Sequence, residues 1–203
     1  AIADGSFVVQ ARPARTNRST QHWTIELVQG GDIAATATAI TALRRPTWGA
    51  EEHTMPSTPP PATWAPFAGP YRVEWLKNYE VRYVEGAFPQ AWDGRDHGHS
   101  RSRLWLRDAP QRPLDWIALT ALADVFFPRM WLRRATFVPT GTVTLTVYFH
   151  ADAAALAAVD TGFVLAQAQG QGFRDGYFDH AGQLWGEAGT LLATTHSLYY
   201  YKE

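Results

Sequence analysis

Apolar positions along the chain follow two rhythms: a two-residue alternation over most of its length, and one solid block near the middle. In residues 19–29, Gln21, Trp23, Ile25 and Leu27 alternate with His22, Thr24, Glu26 and Val28, which predicts a strand with one buried face and one partly wet face. Residues 6–12 and 33–43 read as its neighbours, with Gly30-Gly31-Asp32 as a hairpin turn. Strands are also predicted at 71–85, at 101–107 with Leu104 and Leu106 on one face, and at 140–150. Residues 163–169, 176–185 and 190–201 form a meander, and the Ala-rich 151–160 a short helix. The solid block is Leu114–Phe127, bracketed by Pro113 and Pro128, with apolar residues on every side. It predicts a buried helix whose first turn holds Asp115, where a negative charge suits the helix dipole. Asp124 falls near the other end of that block, one turn beyond Thr120. A carboxylate in such surroundings must find partners or take up a proton.

The three-strand pattern occurs twice. Superposing Gly31 on Gly189 also brings Ala35 onto Ala193 and Thr36 onto Thr194, and Phe7-Val8 and Phe163-Val164 head the two sets. Residues 5–43 and 162–201 therefore read as copies of one meander. The second copy is preceded by strand, helix and long strand; the first has no such residues before it. The expected division is 1–43 as the end of a first unit, a Pro-rich linker over 44–70, and a second unit over 71–203. The missing first helix implies either a longer natural N-terminus or a separate N-terminal fragment that completes the first unit.

Composition narrows the chemistry. Hydrophobic residues make up 46% of the 203 and charged ones 18%, which suits a packed core and not disorder. A formal net charge of −1 gives no footprint for nucleic acid or a membrane surface. No cysteine is present, which removes disulfides, thiolate metal sites and a Cys nucleophile together. No apolar run approaches the ~20 residues of a membrane-spanning helix. Nine Trp, eight Tyr and ten Phe either fill a β-rich core, line an apolar ligand groove or make a sugar-stacking platform. Asp96-His97-Gly98-His99 is a weak metal candidate, since its spacing fits no helix face. The sequence carries no phosphate-binding glycine loop and no nucleophile elbow.

The ordered series HTMPSTPPP (53–61), NYEVRYVEG (78–86), LWLRDA (104–109), LTALADVFFP (119–128), TVTLTVYFH (142–150) and GQLWGEAGTLLATTHSL (182–198) resembles acyl-CoA thioesterase II and the wider thioesterase-like superfamily. The resemblance implies an α+β double hotdog, two antiparallel sheets each wrapped around a central helix, with the block at 114–127 as the second unit's helix. It implies hydrolysis of an acyl-CoA or carrier-bound acyl thioester by an activated water, without cofactor or metal. It also implies a cytoplasmic, self-associating protein of lipid metabolism with no nucleic-acid or membrane partner. The family's water-holding Asp falls on Asp124 and its Thr on Thr142, with Thr144 as the alternative two residues on. The family's Gln falls on Ser197, a departure that removes an amide from the site. His196, next to it, belongs on the opposite strand face. Apart from the resemblance, Asp124 reads as a carboxylate met by backbone or by Arg129, Arg133 or Arg134. The departure at Ser197 supports an alternative function: a catalytically reduced hotdog that binds acyl chains or serves as an interaction partner.

Overall fold

The hairpin glycines and strand alternation organise the N-terminal quarter of the molecule, and the proline-bounded apolar block organises the rest. The computed structural model describes residues 2–69 and 74–203 and divides the chain into two units, Ala1–Ala50 and Glu51–Glu203. In the first unit β1 (Val8–Thr16), β2 (Thr20–Gln29) and β3 (Asp32–Ala42) pair antiparallel in chain order. Gly30 and Gly31 make the β2–β3 turn at φ +61° and +92°, a conformation that glycine adopts without a Cβ penalty. Pro13, which cannot donate to a ladder, sits on edge strand β1 beside a bulge at Ala14. The expected contrast of buried and wet faces does not develop in β2. All ten of its residues are half-buried, because no helix covers this sheet among the described residues of the unit.

The second unit is a six-stranded antiparallel sheet ordered β4-β5-β7-β8-β9-β6. Its strands are β4 (Tyr79–Glu85), β5 (Ser102–Asp108), β6 (Thr140–Phe149), β7 (Val164–Arg174), β8 (Tyr177–Gly186) and β9 (Leu191–Tyr201). Strands β7–β9 repeat the meander of β1–β3. Alternation along the strands sorts the core into two faces. Leu104, Leu106, Val164, Ala166, Ala168, Leu184 and Ala193 face the helix α1 (Trp116–Leu122), whose Ala118, Leu119 and Leu122 are buried against them. Trp105, Leu165 and Trp185 point the other way, onto Met55 and Trp64.

That second contact changes the reading of the Pro-rich stretch. From residue 51 on it belongs to the second unit and is not a linker. Extended, proline-rich backbone leaves carbonyls free to accept, and side chains of the sheet use them. Trp105 Nε1 donates to Pro59 O and Trp185 Nε1 to His53 O, both at 3.0 Å. Arg82 Nη1 donates to Pro61 O and Trp64 O at 3.0 and 2.9 Å. The strand expected over 71–85 is also shorter. Residues 71–73 lie outside the described residues, Glu74–Asn78 is a 3-10 turn, and pairing begins at Tyr79.

The helix corrects the sequence reading most. It starts at Trp116, two residues after Leu114, with Asp115 outside the first turn as N-cap accepting from Ala118 N at 2.7 Å, and it ends at Leu122, five residues before Phe127. Pro128 has no N–H to close on the Asp124 carbonyl, and it disfavours helical backbone at Phe127. The last turn therefore tightens into i→i−3 bonds, Asp124 N to Ala121 O and Val125 N to Leu122 O, and the chain then extends into α2 (Arg129–Arg134). Nor is the helix buried all round: Trp116 and Ile117 are exposed. A further short helix, α3 (Ala153–Val159), is capped by Asp152.

Candidate active site

The early end of α1 leaves residues 123–128 as a turn followed by a non-helical connection, and a pocket of about 460 Å³ opens beside it. Phe67, Val81, Tyr83, Phe88, Leu104, Val125, Phe127, Trp131 and Phe137 are among its walls. The rings meet edge to face, Phe67 on Tyr83 at 5.1 Å and Phe88 on Phe127 at 5.3 Å, the geometry that aromatic quadrupoles favour. Asp124 is the only charged side chain on this wall among the described residues. It sits just past the helix, not inside it, and is open to the pocket. The apolar groups around it strip away enough water to push its carboxyl pKa up.

Two hydroxyls line the same pocket. Thr142 on β6 and Tyr199 on β9 are cross-strand partners, so their side chains share a face. Burial pushes the Tyr199 phenol up first, and the charge of Asp124 adds to it, while Thr142, Ser197 and Arg129 pull it back. Tyr199 therefore stays protonated at neutral pH, a hydroxyl donor in the same pocket as the carboxylate.

The Asp124 segment is anchored from below by Arg129, which is fully buried. Its Nε donates to Phe127 O at 2.9 Å and its Nη1 to Ser102 Oγ at 2.6 Å, and the guanidinium stacks 4.1 Å over the Phe127 ring. Burial pulls its pKa down to about 10, so it keeps its charge at neutral pH with carbonyls and a hydroxyl as partners.

A sheet with short helices packed against it and a pocket at the end of α1 is compatible with many activities. Sequence comparison decides the family: the profile of the acyl-CoA thioesterase C-terminal domain matches residues 51–200, and that of the N-terminal domain matches residues 1–42. The chain belongs to the acyl-CoA thioesterase family. A hotdog-fold protein of unknown function from Alicyclobacillus acidocaldarius is 43% identical, with a TM-score of 0.89 over 97% of this chain and 73% of that one. At the level of fold alone, an acyl-CoA thioesterase II from Mycobacterium marinum superposes at TM-score 0.69 with 16% identity, over 97% of this chain and 73% of that one. A tesB protein from Mycobacterium avium subspecies paratuberculosis does so at 0.73 with 15% identity, over 96% of this chain and 71% of that one. No curated protein matches the chain. These relatives establish the α+β double hotdog class.

As a member of the acyl-CoA thioesterase family, the chain brings together two of the three expected site residues. Asp124 and Thr142 share the pocket; Ser197 is not among its lining residues. Ser197 lies two positions before Tyr199 on β9, opposite His180 on β8, and is 2% exposed. Its Oγ makes no hydrogen bond of good geometry, although it is near enough to the Tyr199 hydroxyl to influence its ionisation. Thr195 Oγ1 and His180 Nδ1 are likewise buried without partners.

Thr144 does not serve as the alternative. A bulge at Val143 lets Thr142 pair with Tyr199 and Thr144 with Leu198, successive residues of β9, so the two threonines face opposite ways. Thr144 borders a shallower outer groove with Asp179 and His196, whose Nε2 lies 2.9 Å from Asp179 Oδ2. His196 thus takes the opposite face, as alternation requires. In the Asp96–His99 loop, Asp96 Oδ1 accepts from Gly98 N at 2.7 Å and pairs with Arg133. Among the described residues no His, Cys, Asp or Glu cluster is arranged to hold a metal ion. The site residue that sequence reading misses is Tyr199. Its signal was the alternation of β9, which places it on the same face as Ser197 one step further along.

Proposed function

We propose that the protein hydrolyses acyl thioesters of CoA or of an acyl carrier, with the acyl group in the aromatic pocket and the thioester carbonyl near Asp124. The observation that carries this reading is a single carboxylate, its pKa pushed up by desolvation, on the wall of an otherwise uncharged and largely apolar pocket. In the reaction, the oxygen of a water attacks the carbonyl carbon while the Asp124 carboxylate takes one of its protons. The tetrahedral intermediate then collapses, the carbon–sulfur bond breaks, and the thiolate takes the proton back from Asp124. Thr142 supplies a hydroxyl to orient the water, and no step requires a redox partner or a metal. Turnover of short-, medium- and long-chain acyl-CoA esters, followed by thiol release, tests the reading. Hydrolysis by the native protein and its loss in Asp124→Asn would support it; no release from any of them would overturn it.

A second reading, acyl binding without turnover, is favoured by one observation: Ser197 is buried and lies off the pocket wall. Saturable binding of a non-hydrolysable acyl-CoA analogue without hydrolysis of the matching ester would select it. We further infer that the chain self-associates, because Phe7, Val8, Val9, Ile33 and Ile40 are all more than half exposed on the three-stranded unit. A compact monomer by light scattering at high concentration would exclude this.

A further inference from the structure

The pocket that holds Asp124 has a third polar group. Thr142 and Tyr199 are directly opposed across the β6–β9 ladder, and both line the pocket with Asp124. A bound water is held firmly only where two to four polar groups converge on it. The Asp124 carboxylate accepts only, so a water that keeps a lone pair free for attack needs one donor in addition to its acceptors. Ser197 is the poorer candidate for that donor: it pairs with His180, is 2% exposed and is not among the residues that line the pocket.

We propose that Tyr199 is a catalytic residue whose phenolic O–H donates to the attacking water, while the Asp124 carboxylate and the Thr142 hydroxyl accept the water's two protons. The proposal rests on the thioesterase reading above and adds a specific residue to it. In the attack step the water proton on the Asp124 side transfers to that carboxylate, and the oxygen it leaves forms the carbon–oxygen bond. The Tyr199 hydrogen bond stays intact throughout, so the phenol is neither consumed nor ionised. Burial first, and then the charge of Asp124, push the phenol pKa up, in keeping with the two groups lining one pocket. The phenol ring is fixed for the role by packing: it stacks on Phe178 at a centroid distance of 5.0 Å and 2° between planes, and meets the His180 ring at 5.3 Å.

The test is Tyr199→Phe, which removes one oxygen and preserves the stack, measured by steady-state hydrolysis of an acyl-CoA that the native protein turns over. The expected result is a fall in kcat of ~10²-fold with KM changed by less than about threefold, the signature of a donor acting on the reacting atoms. A kcat within about threefold of native overturns the proposal and leaves the thioesterase reading standing. An absence of hydrolysis by the native protein overturns both. A second measurement is independent of turnover and of whether the Phe variant folds: the ionisation of Tyr199 followed by carbon NMR of labelled tyrosine. Asp124→Asn should move that ionisation to lower pH, since a negative charge facing the phenol is removed. An unchanged titration would show that carboxylate and phenol do not share a water, and would overturn the proposal.

Discussion

Protonation of His180 should destabilise the second unit as pH falls below neutral. The imidazole is 1% exposed, between the rings of Phe126 and Tyr199, with Nδ1 unpartnered. Burial, helped by the charges of Arg129 and His196 and opposed by Asp179, pushes its pKa from 6.5 down to about 3. The folded state therefore refuses a proton that the unfolded chain accepts. Its contribution is fully present above pH 6.5 and drains away as pH falls toward about 3. Between about pH 7.5 and about pH 5.5 the expected loss is ~1.4 kcal/mol, a factor of about ten in the folding equilibrium. That interval lies above the range of the carboxylates held down by arginine, such as Glu80 and Glu85. The assay is urea denaturation at both pH values for the native protein and His180→Gln, which cannot titrate. Contributions that the substitution leaves unchanged cancel in the difference. The native protein should lose about 1.4 kcal/mol more than the variant over the interval. Equal losses would refute the argument, because they would mean that His180 is as free to protonate in the fold as out of it.

Other outcomes can be checked directly. Asp124→Asn should lower kcat/KM by ~10²-fold with little change in Tm. In the native protein the acid limb of kcat/KM should lie above the ordinary carboxylate range, because desolvation raises this pKa; a limb at an ordinary aspartate value would count against Asp124 as base. Gly182→Ala should destabilise by about 1–3 kcal/mol, read as a lower Tm. The added Cβ would stand 2.6 Å from Thr195 Oγ1 and 3.2 Å from Phe126 Cε2. Leu119→Ala, at a residue with no exposed surface, should cost ~2–5 kcal/mol in urea denaturation.

The meanders are legible in the sequence because each is punctuated by glycines, which adopt the positive-φ backbone of tight turns without a Cβ penalty. Gly30-Gly31 and Gly176 sit where the chain reverses, at positive φ. The start of α1 is legible to within two residues, since Pro113 and Asp115 both mark a helix N-terminus, although Asp115 caps the helix and is not in its first turn. Its end is not. Val125, Phe126 and Phe127 continue the apolar pattern, and the effect of Pro128 reaches back along the chain to undo the helix before them. Asp124 is found as a carboxylate among apolar neighbours, yet its place past the helix, on a pocket wall, depends on that unwinding. Residues 51–69 look like linker because prolines suppress periodicity, whereas their packing comes from tryptophans more than forty residues away. The pairing of Thr142 with Tyr199, and not of Thr144, turns on a bulge that no local pattern announces.

That bulge has a consequence for how the site can vary. Val143 is the residue by which β6 is longer than its partner, and it is 47% exposed. Deleting it would leave Thr142 opposite Tyr199 and Thr144 opposite Leu198, since those pairs already occupy consecutive rungs of β9. A one-residue deletion in the middle of a strand usually inverts every side chain beyond it. Here it would remove only the local bend at the pocket rim, so a single codon gained or lost at this position could reshape the entrance while every wall residue keeps its identity. Length at residue 143 is thus a means of adjusting substrate access that leaves Asp124, Thr142 and Tyr199 unchanged.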